Sequence, residues 1–379
     1  MLLSQDQEMV RDAVRNFARE QLWPNAGRWD KEHHFSREAH QGLAELGAYG
    51  ICVPEQYGGA NLDYLTLALV LEEIAAGDGG TSTAISVTNC PVNAILMAYG
   101  SDAQKKQWLT PLAQGKMLGA FALTEPHVGS DASALRTTAT RDKDGYVLNG
   151  VKQFITSGKN GQVGVVIAVT DRGAGKKGMS AFLVPTDAAG YQVARLEDKL
   201  GQRSSDTAQI NLDSCRIPLG NLIGEEGQGY RIALGGLEGG RIGIAAQSVG
   251  MARSAFEVAL DYAKQRESFG KSIFEHQAVG FRLADCATRI EAARQLIWHA
   301  ASLRDAGRPC LKEAAMAKLF ASEMAEQVCS AAIQTLGGYG YVEDFPVERI
   351  YRDVRVCQIY EGTSDVQKIL IQRSLAQEG

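Results

Sequence analysis

The residues best suited to acid–base chemistry in this chain lie near its C-terminus, in Tyr360-Glu361-Gly362-Thr363-Ser364-Asp365. The segment joins two helical stretches, and Ser364 with Gln367 has the spacing of a capping box for the second. A carboxylate on such a loop, followed by glycine, can project into a helical interior. Burial would raise its pKa towards a useful general-base value, while the adjoining helix N-terminus would lower it. Spacing does not decide between the two pulls, and it describes a solvated loop glutamate equally well. A second candidate, Gly173-Ala-Gly175-Lys-Lys-Gly178, matches the GxGxxG pattern. A dinucleotide site needs a helix directly after that pattern, so that its N-terminus meets the pyrophosphate. Met179-Ser-Ala-Phe-Leu-Val-Pro185 follows instead and reads as a strand, so a glycine-rich hairpin loop is expected.

Other chemistries find little support. The seven cysteines are scattered, odd in number and never paired as CxxC, which fits reduced thiols in a core. The six histidines form no HExxH pattern, and no metal site is expected. A formal net charge of -5 gives no basic footprint for nucleic acid. Any anionic ligand must then be held by local dipoles and a few arginines. Ser4, Asp6, Glu8, Arg11 and Asp12 interrupt the first 21 residues, which excludes a signal-peptide core. No run of about 18 apolar residues exists, so no membrane span is expected. The expected location is cytoplasmic, or the mitochondrial matrix if a transit peptide has been removed.

Three regions must position these residues. Over 1–116 the texture is helical. Ser4 with Gln7 forms a capping box, Val10, Val14 and Phe17 keep helical spacing, and Trp23-Pro24 is expected to stop the run. Further helices fit 36–46, 63–76 and 81–99, the last disturbed at Pro91, and Ser101 caps a short one reaching Trp108. Over 117–227 the pattern changes to short β-rich runs at 117–123, 134–140, 146–149, 164–170, 180–184, 191–196 and 207–212. Asp144-Gly145 signals a hairpin, and the spacing suggests a compact antiparallel sheet or barrel. Over 228–379 helical periodicity returns in 237–266, 275–306, 311–336 and 347–359, lengths that favour an antiparallel bundle.

Gln358-Ile-Tyr-Glu-Gly-Thr-Ser364 resembles the signature around the catalytic glutamate of acyl-CoA dehydrogenases. Leu123-Thr-Glu-Pro-His-Val-Gly-Ser-Asp131, Phe154-Ile-Thr-Ser157, Arg266-Glu-Ser-Phe-Gly270 and Gln334-Thr-Leu-Gly-Gly338 resemble further motifs of that family, in the family's order. The resemblance spans essentially the whole chain. It implies an α+β fold with an N-terminal helical domain, a middle antiparallel β-domain and a C-terminal four-helix bundle.

The resemblance also implies roles. FAD would lie between the β-domain and the bundle. Phe121, Leu123 and Thr124 would line one side of the isoalloxazine, and Phe154 and Thr156 the other. Phe154 replaces the tryptophan of many relatives, which keeps apolar stacking and loses an indole donor. Arg266, Phe269, Gln277, Gln334, Gly337 and Gly338 would hold the ADP half across a subunit contact, and Thr363 and Asp365 would also reach the cofactor. Ser130 would serve both cofactor and substrate. Glu238, in place of a commoner aspartate, would meet the pantetheine arm, and Arg241 would help set the charge of Glu361. Tyr360 and Gly362 would flank the substrate. His127 stands where relatives usually carry glycine.

The implied reaction has Glu361 remove the α-proton of an acyl-CoA while the β-hydrogen leaves as hydride to flavin N5. The backbone N–H of Glu361 and a ribityl hydroxyl would support the thioester oxygen. Electrons would pass to an electron-transferring flavoprotein, and the assembly would be a homotetramer. The 235–245 and 313–319 segments look most like short-chain members, and Tyr360 like straight-chain ones. Short branched or aryl-acyl substrates, an acyl-CoA oxidase, and a non-catalytic acyl-CoA- or FAD-binding assembly protein are the competing readings.

Overall fold

The computed structural model describes residues 2–378. Ser4 starts α1 (Gln5–Phe17) through the reciprocal capping box with Gln7. The expected stop at Trp23-Pro24 does not occur. The helix widens into a π turn at Ala18–Leu22, and α2 (Trp23–Glu32) continues with Pro24 in its first turn. Proline is accommodated because the π turn re-routes the hydrogen bonds just before it: Trp23 N bonds to Ala18 O, five residues back.

Ser36 caps α3 (Arg37–Glu45). All of α4 (Tyr64–Gly77) is buried except Ala76, so this helix is enclosed on every side. Two carboxylates cap its start. Asp63 accepts from Thr66 N, and Asp305, far along the chain, accepts from Tyr64 N at 2.7 Å and Leu65 N at 3.2 Å. The run expected over 81–99 is α5 (Gly79–Val87), a π turn at Thr88–Asn93 that absorbs Pro91, and α6 (Ala94–Tyr99). Two short helices, α7 (Asp102–Gln104) and α8 (Thr110–Ala113), end the region.

The middle strands are β1 (Gly119–Ala122), β2 (Thr138–Arg141), β3 (Gly145–Thr156), β4 (Val163–Val169), β5 (Met179–Pro185), β6 (Tyr191–Leu196), β7 (Thr207–Pro218) and β8 (Leu222–Ile223). The turn at Asp144-Gly145 joins β2 to β3, and the glycine-rich 172–178 segment joins antiparallel β4 and β5 as a loop. The sheet runs β6-β7-β3-β2-β4-β5-β8. It carries a parallel joint that sequence reading did not foresee. There β1 pairs β4 over four residues, and β2 meets β4 through Thr138 and Val169. Parallel neighbours need a long crossover, and the β2–β3 hairpin supplies it. The path ends at β6 and β8, so the sheet stays open.

Beyond it come α9 (Gly229–Gln265), the small hairpin of β9 (Glu267–Ser268) and β10 (Lys271–Ser272), α10 (Gln277–Asp305), α11 (Leu311–Leu336), α12 (Val347–Val354) and α13 (Ser364–Leu375). The stretch expected as one helix over 347–359 changes to a 3-10 turn at Arg355–Gln358. The cap of α13 is Thr363, whose hydroxyl accepts from Val366 N at 3.4 Å.

One hydrophobic core runs through α1, α4 and α9 to α12, so the first and third regions pack as one body. Close approach requires the glycines of α9. A side chain at Gly239 would meet the Tyr64 hydroxyl, and one at Gly243 would meet Ser86 Oγ at 2.8 Å and Cys90 Sγ at 2.9 Å. A helical glycine costs about 0.5–1 kcal/mol relative to alanine, so these positions give up local stability for proximity. No helix among the described residues is long and apolar enough to cross a membrane.

Candidate active site

Glu361 sits between the Arg355–Gln358 turn and α13 with φ +54, followed by Gly362 with φ +93. A left-handed glutamate costs about 1–3 kcal/mol and persists only where its surroundings hold it. Here the turn aims the carboxylate at α9, where Gly240 leaves room: a Cβ at 240 would overlap the Glu361 carboxylate. The residue is half-buried, and its Oε2 is sealed from water without a hydrogen-bond partner. Burial raises the carboxyl pKa to about 7, against the opposing pull of Arg241 and Lys318. Burial therefore outweighs the two neighbouring cations.

Arg241, next along α9, is buried, and its Nε and Nη1 lack partners. Burial lowers its pKa, while Glu361, Glu238 and Cys310 push it back up. Glu238 itself is half-buried and engaged by Arg304 at 3.3 Å and the Cys310 thiol at 3.5 Å. The Arg304 guanidinium lies 4.3 Å over the ring of Tyr64, whose buried hydroxyl has no partner.

Three groups fix the loop that carries Glu361. Lys318 Nζ, on α11, donates to Gly362 O at 2.7 Å. Gln367 Nε2 donates to Glu361 O at 3.2 Å and Gly362 O at 2.9 Å. Gln367 is thus a loop clamp, and the capping box expected for it with Ser364 is absent; Ser364 Oγ has no partner. Tyr360 OH donates to Gln247 Oε1 at 3.0 Å and receives Gln202 Nε2 at 3.4 Å. Gln202 also accepts from Thr83 Oγ1 at 2.6 Å, so residues of all three regions meet at this tyrosine.

The predicted flavin-facing segments adjoin one another. Gln153 N donates to Thr124 O at 2.9 Å, tying the end of β1 to β3. A buried pair beneath them sets the loop shape. Lys152 Nζ donates to Glu125 Oε1 at 2.9 Å and Leu123 O at 3.0 Å, and Glu125 also accepts from Arg136 N and Thr137 N. Leu123 is buried, and Phe121, Thr124 and Thr156 are half-buried. A register shift in β3 between Lys152 and Ile155 turns Phe154 outward at φ +59, 62% exposed. Ser130 and His127 lie exposed in the following loop, and His127 Nε2 stands 3.7 Å from Glu125 Oε2.

A second group gathers where α9 ends, α10 begins and α11 ends. Phe269 occupies the β9–β10 turn at φ +51, 95% exposed. Arg266, Gln277, Gln334, Gly337 and Gly338 are also exposed, and Gly337 has φ +62. None of them makes a hydrogen bond or ion pair to the Glu361 loop. Thr363 is half-buried as the cap of α13, and Asp365 is exposed.

This geometry fits a planar, phosphate-bearing cofactor. Two aromatic side chains, Phe154 and Phe269, are held outward in left-handed conformations that an isolated core would not select. The open glycine pair at 337–338 has no atom near enough to block a close backbone approach.

The chain matches acyl-CoA dehydrogenase family models along its length: the N-terminal domain over 4–116, the middle domain over 120–215 and the C-terminal domain over 227–376. It is 46% identical over 369 residues to the mitochondrial short-chain specific acyl-CoA dehydrogenase of Rattus norvegicus, covering 97% of this chain and 90% of the rat protein. Butyryl-CoA dehydrogenase of Megasphaera elsdenii superposes with a TM-score of 0.98 at 39% identity, covering 99% of both chains. A chain solved in work on the electron transferring flavoprotein of Acidaminococcus fermentans gives a TM-score of 0.98 at 44% identity, again covering 99% of both. The chain belongs to the acyl-CoA dehydrogenase family. It is an oxidoreductase that acts on a CH–CH bond of an acyl-CoA.

Sequence reading missed Lys318 and the Glu125–Lys152 pair, and it took Gln367 for a cap partner rather than a loop clamp. A signal was available for Lys318, a charged residue in the buried alanine stripe of α11 beside Ala314, Ala317 and Ala321.

Proposed function

We propose that this chain dehydrogenates a short, straight-chain acyl-CoA to the trans-2-enoyl thioester, with Glu361 as the base. The observation that carries this reading is the Glu361 carboxylate. It is drawn into the space left by Gly240, is sealed on one oxygen and has a pKa of about 7. A general base works best when its pKa lies near the operating pH. FAD is the cofactor of the family, and when bound it supplies the two-electron acceptor for the β-hydrogen.

The chain's own groups do the rest. Phe121, Leu123, Thr124, Phe154 and Thr156 would hold the flavin ring, with Ser130, Thr363 and Asp365 at its margins. Arg266, Phe269, Gln277, Gln334, Gly337 and Gly338 would hold the ADP half of a neighbouring subunit's cofactor. Glu361 takes the α-proton. Its backbone N–H makes no hydrogen bond among the described residues, which leaves it available to the thioester oxygen. Arg241 faces the carboxylate and favours its ionised form. Tyr360 and Gly362 border the acyl group, and Glu238 stands towards the thioester arm. Electron-transferring flavoprotein is the electron acceptor, and a homotetramer brings the two site halves together.

Replacing Glu361 by glutamine keeps size and removes the proton acceptor. Anaerobic flavin reduction by butyryl-CoA should slow by about 10²–10⁴-fold while acyl-CoA binding persists. Reduction at the wild-type rate would refute the assignment.

A further inference from the structure

Lys318 lies in the N-terminal half of α11, fully buried. A lysine in such a place has its charge disfavoured unless something in the fold uses it, and burial pulls its pKa to about 8. It remains an ammonium at neutral pH. No carboxylate of the described residues lies within ion-pair distance of it. Its hydrogen bond goes instead to Gly362 O, one residue past Glu361, at 2.7 Å. Glu361 and Gly362 are consecutive left-handed residues, and their carbonyls turn inward to meet Lys318 and Gln367. The left-handed Glu361 is strained and requires fixed partners, whereas glycine adopts such a φ freely.

We infer that Lys318 is a positioning residue for the base: its bond to the Gly362 carbonyl holds the 361–362 turn, and its ammonium supplies, with Arg241, the positive charge around the Glu361 carboxylate. The inference rests on Glu361 acting as the base. The charged and titratable groups facing Glu361 are Arg241 from α9, Lys318 from α11, Tyr64 from α4 and Cys90 from the π turn. Those facing Lys318 are Cys357, Glu361, Arg241 and, on its own helix, Glu323. Among the described residues two of the groups around Glu361 are cations, so loss of one should shift its titration measurably.

The test uses FAD-loaded Lys318→Met and Lys318→Gln, with wild type and Glu361→Gln as references. Anaerobic reduction by butyryl-CoA is followed across pH 5.5–9, and the dissociation constant of a non-reacting butyryl thioether analogue of CoA is measured beside it. Methionine keeps the apolar bulk and removes donor and charge. Reduction should slow at least about tenfold, and the pH midpoint of the rate should rise by at least about 0.5, with analogue binding changed less than about threefold. Glutamine restores a neutral donor, so it should recover part of the rate while the midpoint stays raised. An unmoved midpoint in both variants would overturn the inference, because a merely packing lysine shifts no titration. Should methionine prevent folding, the glutamine variant decides by the same midpoint. Full activity of Glu361→Gln would instead remove the functional reading beneath it, a separable result.

Discussion

Gly240 and Glu361 share one volume from opposite sides: α9 omits a side chain where the loop inserts its carboxylate. The relation is steric before it is electrostatic. Gly240→Ala adds a single carbon that overlaps the carboxylate, so the base must swing away from its aim. Small displacements from attack geometry are costly, and reduction of the flavin by butyryl-CoA should fall about 10²-fold with little change in analogue binding. Stopped-flow reduction of this variant checks the expectation, and wild-type kinetics would contradict it.

Convergence of the two positions supports an exchange. Glu361→Gly removes the occupant, and Gly240→Glu then offers a carboxylate to the vacated space from α9. The double variant should reduce its flavin at least about tenfold faster than Glu361→Gly alone and remain below wild type. Absence of recovery would show that the new carboxylate does not reach the α-carbon.

Burial of an ionisable base also marks the stability curve. The folded pKa of Glu361, about 7, lies above its ordinary value, so protonation favours the folded state. The cost of the buried carboxylate is absent in acid and present in full once pH rises past about 7. Glu361→Gln should therefore raise Tm relative to wild type at pH 8, with the gain shrinking towards pH 5. Asp353 has a similarly raised pKa of about 7, caused first by burial, and keeps part of the dependence. Differential scanning calorimetry across that range gives the sign directly, and an equal gain at both pH values would contradict the linkage.

The proposed preference for short chains concerns the side chains packed on α9 beside the base. Tyr64 closes on Gly239, and Cys90 and Ser86 close on Gly243, the α9 positions flanking Gly240. Substrates of about four to six carbons should be preferred, although one methylene is worth only about 1–3 kcal/mol of discrimination. A kcat/KM for dodecanoyl-CoA above that for butyryl-CoA would overturn the assignment.

Some of this was legible in the residues and some was not. The 191–196 strand and the 311–336 helix stand where a β-rich run and helical spacing place them. Pro24 misled because a π turn, which leaves no hydrophobic signature, carries the chain past it. Gly229 opens α9 before 237 because a glycine-rich start hides helical periodicity until its packing partners are known. Among site residues, Glu361 and Arg241 stand out through motif resemblance. Lys318, Gln367 and Lys152 act through backbone carbonyls, and only three dimensions reveal which carbonyl a side chain meets.

The second cap of α4 has a consequence for how the chain is made. Tyr64 and Asp305 are 241 residues apart, so a ribosome adding about 5–20 residues per second reaches Asp305 roughly 12–48 s after Tyr64. During that interval α4 lacks both its distant cap and the helices that enclose it, α9 and α10. A nascent chain in this state displays apolar surface that the finished protein hides, and a fragment ending at residue 227 displays it permanently. The N-terminal third therefore completes its packing only when translation is nearly complete.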